Sequence, residues 1–142
     1  MERKLQISDL LVGDWVQWEG KTYRVCLIDG VSLTVELAEK LGGTIEVATD
    51  ELTGIPITPE ILEKNGFSFK EFAFQETTML GRHIRRIAVS KSDRGWWIHV
   101  SIRKAGGYDF VDMIFAVDFI GKFVHELQHA TRLAGIEKEI EL

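Results

Sequence analysis

Trp96-Trp97-Ile98-His99-Val100-Ser101-Ile102-Arg103 alternates between two chemistries with a period of two. Trp96, Ile98, Val100 and Ile102 fall on one side of an extended chain, and Trp97, His99, Ser101 and Arg103 on the other. A strand points successive side chains to opposite faces, so this stretch predicts a strand with one face in a core. Ala105-Gly106-Gly107 then reads as a turn and residues 108–115 as the returning strand. Upstream, residues 70–75 and 82–90 are weaker strand candidates. Residues 67–116 therefore read as one antiparallel sheet.

Beyond that sheet, residues 117–134 read as a long helix. Ile120, Phe123, Val124, Leu127, Ala130, Thr131 and Ala134 recur at helical spacing, and Gly135 supplies a stop. Ahead of the sheet, Thr58-Pro59-Glu60-Ile61-Leu62-Glu63-Lys64-Asn65-Gly66 is a short helix with its punctuation present. Thr58 caps, Pro59 suits the first position, and Gly66 closes in the left-handed conformation. Residues 14–48 read as a β-meander joined by Glu19-Gly20 and Asp29-Gly30, both X-Gly hairpin signals. In its third run Val31, Leu33, Val35 and Leu37 alternate with polar residues, predicting one buried face. Gly42-Gly43 opens a fourth run. The fold class expected is α+β. An N-terminal small SH3-like β-barrel or meander (residues 1–57) precedes an α+β part (residues 58–142). In that second part a linking helix leads to the antiparallel sheet, which packs with the C-terminal helix. The two parts are expected to form one compact unit, since neither alone buries a large core.

The composition agrees with a globular chain. Of 142 residues, 45% are hydrophobic and 27% charged, at a net charge of −5. One cysteine excludes an internal disulfide, and Cys26, inside an apolar run, is expected to be a small buried side chain. No apolar run approaches the ~20 residues of a membrane span, and no secretory signal is evident, so a cytoplasmic location without membrane partners is expected. The charge is uneven. Residues 1–57 carry five Lys/Arg against ten Asp/Glu, whereas residues 77–110 carry seven against two.

One motif suggests catalysis. His125-Glu126-Leu127-Gln128-His129 matches H-E-x-x-H, in which two histidines four apart on a helix hold zinc and the glutamate serves as base. A third ligand is needed, and the candidates are His83, His99, Glu137, Glu139 and Glu141. On a helical wheel anchored at Ile120 the apolar set centres near about 340°, with His125 near about 140° and His129 near about 180°. The pair is thus expected on the solvated side. Only 13 residues follow His129, so a third ligand from a later helix is not expected.

Leu11-Val12-Gly13-Asp14-Trp15-Val16, residues 54–67 (GIPITPEILEKNGF) and Val124-His125-Glu126-Leu127-Gln128 resemble a family of short proteins of gut bacteria, their phages and mobile elements. No activity is assigned to that family. Its members often carry Asn in place of His129, and some carry Gln in place of Glu126. Neither substitute keeps both zinc ligation and the base, so the resemblance implies that the H-E-x-x-H match is local coincidence.

Two further features bear on binding. Arg82-His83-Ile84-Arg85-Arg86 is the densest basic cluster, though no phosphate-binding loop adjoins it. Trp97, with His99 and Arg103 on the same strand face, offers a stacking or partner surface. Together Arg82, Arg85, Arg86, Trp97, His99 and Arg103 form the expected binding surface. The function expected is that of a non-enzymatic accessory or binding protein of phage or mobile-element origin, with a protein partner and no cofactor. The alternatives are a zinc-dependent hydrolase built on His125, Glu126 and His129, and a nucleic-acid-binding module using the basic 82–86 cluster.

Overall fold

The computed structural model describes residues 5–105 and 111–142. The chain is α+β, with a four-stranded and a five-stranded antiparallel sheet and a C-terminal helix. It divides into two compact units, Met1–Pro56 with Phe123–His125, and Ile57–Lys122 with Glu126–Leu142.

The first unit holds β1 (Trp15–Trp18), β2 (Lys21–Asp29), β3 (Thr34–Ala38) and β4 (Thr44–Ala48), hydrogen-bonded in that order. Glu19 and Gly20 both take positive φ, 48° and 76°, as a primed two-residue turn requires. The loop after β2 is longer than Asp29-Gly30 signals. The Asp29 carboxylate accepts the N–H of Val31 at 3.0 Å and of Ser32 at 3.2 Å, and the Ser32 hydroxyl at 3.0 Å. These donors, the Ser32 backbone first, hold the Asp29 carboxyl below its usual value. The captured loop delays the next strand until Thr34, so Val31 and Leu33 are exposed rather than buried.

Cys26 also departs from expectation. The β2–β3 register slips between Val25 and Leu27, and the thiol lies exposed in that bulge, donating to the Glu36 carbonyl at 3.2 Å. Val16, Val25, Val35, Leu37, Val47 and Leu52 form the core of this unit with Leu5 and Leu10. The sheet ends at β1 and β4, so the strands form the meander and a closed barrel is not shown. One antiparallel bridge, Thr53 to Gln17, brings the chain back beside β1, with bonds of 2.8 and 3.0 Å. At Gly54 a Cβ would lie 2.3 Å from the Phe123 ring, so only glycine fits there.

In the second unit α1 (Pro59–Lys64) forms as its punctuation predicts. The Thr58 hydroxyl accepts the Ile61 N–H at 3.2 Å, and Gly66 has φ +85°. The sheet runs β5 (Ser68–Lys70), β6 (Ala73–Leu80), β7 (His83–Ser92), β8 (Gly95–Ala105) and β9 (Val111–Gly121), in sequence order. Residues 106–110, where a turn and the start of the returning strand are expected, lie outside the described residues.

The expected helix over 117–134 is shorter. Val117, Phe119 and Gly121 pair with Val100, Ile98 and Trp96 as the end of β9, and α2 (Val124–Leu133) begins only afterwards. Over five residues an alternating pattern and a helical one share positions, and the long β8 ladder decides between them.

Ile87, Val89, Trp96, Ile98 and Val100 are buried on one side of this sheet, its inner face. Burial of each such side chain contributes about 1.5–3 kcal/mol. The Trp96 indole N–H donates to the Ile57 carbonyl at 3.1 Å. Gly135, at φ +67°, ends α2 as predicted, and the Ile136 N–H returns to the Thr131 carbonyl at 2.9 Å. The tail beyond is tied down. Asn65 donates to the Glu141 carbonyl and accepts the Glu141 N–H, each at 2.7 Å, and Ile140 is buried. No helix among the described residues is long and apolar enough to cross a membrane.

Candidate functional site

The H-E-x-x-H residues lie in the first turns of α2, and each has structural surroundings. His125 is 2% exposed, and its ring stacks on Phe123 with centroids 5.7 Å apart and planes at 16°. The expected solvated position fails because the covered arc at the start of α2 is wider than its apolar stripe and takes in Gln128 and His125 as well. With α2 starting at Val124, the buried positions include Val124, Leu127, Gln128, Ala130 and Thr131 as well as His125. Glu126 turns its carboxylate back to accept the Lys122 N–H at 2.9 Å. That bond satisfies a backbone donor next to the helix start, and it places negative charge at the positive end of the helix dipole. His129 is half-buried. Among the described residues, no three His, Cys, Asp or Glu side chains gather into a group that could hold a metal ion.

The basic 82–86 cluster divides across the sheet. Arg82 is exposed in the two-residue turn between β6 and β7. Arg85 shares the inner side of β7 with Ile87 and Val89, and its guanidinium donates to the Ala134 carbonyl at 2.6 Å, at the C-terminal end of α2. A positive group there offsets the helix dipole and satisfies one of the last carbonyls. The approach is close, since a Cβ at Gly135 would lie 2.0 Å from Arg85 Nη1. Arg86 points to the opposite side by the alternation of the strand.

That outer face collects four of the six expected surface residues. Its register reads Ser90–Trp97–Ile120, then Ala88–His99–Asp118, then Arg86–Ser101–Ala116, then Ile84–Arg103. Met79 stands beside Ile84 on β6. Trp97 is 50% exposed, Ile120 43% and Met79 62%. His99 Nδ1 contacts Asp118 Oδ1, so the one carboxylate in these rows already has a partner. Ser101 is fully buried although it points outward. Its hydroxyl and Arg103 Nε find no hydrogen-bond partner among the described residues.

The face therefore combines a half-exposed indole and scattered apolar side chains with two guanidinium groups. Sequence reasoning missed Met79, Ile84 and Ile120. Ile120 counts only once β9 extends to Gly121, and Met79 and Ile84 only once the β6–β7 register is known. Such a surface offers donors and apolar contact, suited to a partner carrying carboxylates or phosphates beside apolar groups. No family model, curated protein or solved structure matches the chain.

Proposed function

We propose that the protein is a binding protein whose working surface is the outer face of its five-stranded sheet. The observation that carries this reading is the half-exposed Trp97, set beside Ile120 on a face that also holds Arg86 and Arg103. Trp, Arg and Met are enriched at the centres of protein interfaces, whereas Lys, Glu and Asp are depleted there. A protein partner fits this mixture better than nucleic acid does. Strand alternation divides the basic cluster, with Arg85 engaged by α2 and Arg86 on the face. The apolar Met79 and Ile120 are not accounted for by a phosphate backbone. A zinc hydrolase has less support still, because the Glu126 carboxylate is engaged by the Lys122 N–H.

The test is binding of defined polyanions to the full chain. Labelled poly-L-glutamate and labelled oligothymidylate are each titrated by fluorescence anisotropy, and self-association is followed by sedimentation. Engagement in any arm that is lost in R86Q/R103Q, with folding retained by circular dichroism, supports the outer face as the working surface. Absence of engagement in all three arms overturns it.

A further inference from the structure

The four-stranded sheet carries a patch complementary to this face. On β3 and β4, Glu36 and Glu46 stand directly opposite one another, on the side away from the buried Val35, Leu37 and Val47. Leu27, exposed, is the β2 neighbour of Glu36 in the same row. Like charges directly opposite across a ladder are destabilising, with Cβ atoms about 5 Å apart. The outer face of the other sheet holds the converse. Arg86 and Arg103 sit on adjacent strands, diagonal to one another, about 7 Å apart by sheet geometry. Among the described residues none of these four side chains forms an ion pair.

Two carboxylates and two guanidiniums are thus equal in number and opposite in sign, and each pair has an apolar side chain in its own row, Leu27 or Ile84. The surrounding charge runs the same way, with residues 1–57 at −5 and residues 77–110 at +5. Arg–carboxylate pairing is the strongest of the common side-chain ion contacts, because the planar fork donates two parallel hydrogen bonds.

Resting on the binding-face reading above, we infer that the occupant of the outer face is a second copy of this chain, docking through Glu36 and Glu46. Such a contact joins different surfaces on the two copies. Each contact pairs the acidic patch of one copy with the basic face of another, so every copy carries both halves of the interface. The pairing acts within a Debye length of about 8–10 Å, whereas the overall charge of −5 is spread over the whole surface. Association is therefore strongest at modest ionic strength and weakens as salt rises.

Sedimentation velocity of the full chain over a concentration series provides the test. The wild type is expected to gain mass as its concentration rises. R86Q/R103Q alone and E36Q/E46Q alone are each expected to remain monomeric. Their equimolar mixture retains one competent pair of surfaces, the acidic patch of the first variant and the basic face of the second. It is expected to form a one-to-one dimer that grows no further. Circular dichroism confirms that both variants fold. A wild type that stays monomeric, or an R86Q/R103Q variant that associates like the wild type, overturns self-docking. If the monomeric wild type binds poly-L-glutamate or oligothymidylate through Arg86 and Arg103, self-docking fails while the binding face stands. If it binds neither, both fail.

Discussion

Arg85 and Arg86 are neighbours in sequence and serve opposite sides of one sheet. Arg85 reaches the last turn of α2, where a backbone carbonyl accepts its guanidinium on a face lined by Ile87, Val89, Ile98 and Val100. Arg86 lies on a face whose largest side chain, Trp97, is half in solvent. The strands, the twist and the hydrogen-bonded ladder are common to both faces. The contrast shows how one β8 ladder can hold the fold with one set of side chains and leave the other set, Trp97 among them, partly in solvent. A charge on the inner side is spent on a helix end, whereas a charge on the outer side has no such use among the described residues.

The largest effect that would sharpen this contrast comes from the centre of the ladder. Ile98→Ala is expected to destabilise the protein by about 2–5 kcal/mol, while Trp97→Ala, its immediate neighbour, costs under about 1 kcal/mol. Chemical denaturation midpoints measure both, and equal losses would mean that the outer face is core as well. Next comes the helix start. His125→Ala is expected to cost about 2–3 kcal/mol, because a buried ring stacked on Phe123 leaves a cavity. A thermal melt unchanged in that variant would refute the structural role assigned to His125.

Third is the arginine pair itself. Arg85→Ala is expected to lower stability by about 1–2 kcal/mol through the lost charged hydrogen bond to Ala134. Arg86→Ala should stay within about 0.5 kcal/mol of wild type. If the two variants were equally stable in urea, the inner and outer roles would not differ. The smallest effect lies outside both faces. The Asp29 carboxyl is held below its usual value of 3.8, so its stabilising bonds are present above that pH and are lost as pH falls through the lowered value. The stability gap between wild type and Asp29→Ala is therefore expected at neutral pH and should close in acid, as followed by melting temperature against pH.

Legibility from sequence followed the range of the interaction. The cap and stop of α1, the primed turn at Glu19-Gly20 and the Gly135 terminus depend on residues within a few positions, and each formed as read. At Asp29-Gly30 the Asp29 side chain, rather than the dipeptide, sets the loop length. Cys26 is exposed by a bulge that no local pattern announces. The boundary between β9 and α2 was misplaced because Val117–Gly121 fits both periods, and only pairing with Trp96–Val100 selects one. Within the candidate site, Trp97, His99 and Arg103 shared a face by alternation alone. Arg86 joined them through the β7–β8 register, and Arg85 left them for an acceptor 49 positions away.

By itself, the sequence determined the periods: which side chains share a face of β8, where the tight turns close, and where two helices can begin and end. These follow from backbone geometry, which is fixed residue by residue. Only the tertiary structure decided which face is covered and which stays open, because burial depends on what packs against a surface rather than on the surface's own pattern. It also set His125 against the Phe123 ring and Glu126 against a backbone N–H, since a side chain's surroundings are set by the partners that the fold brings within reach.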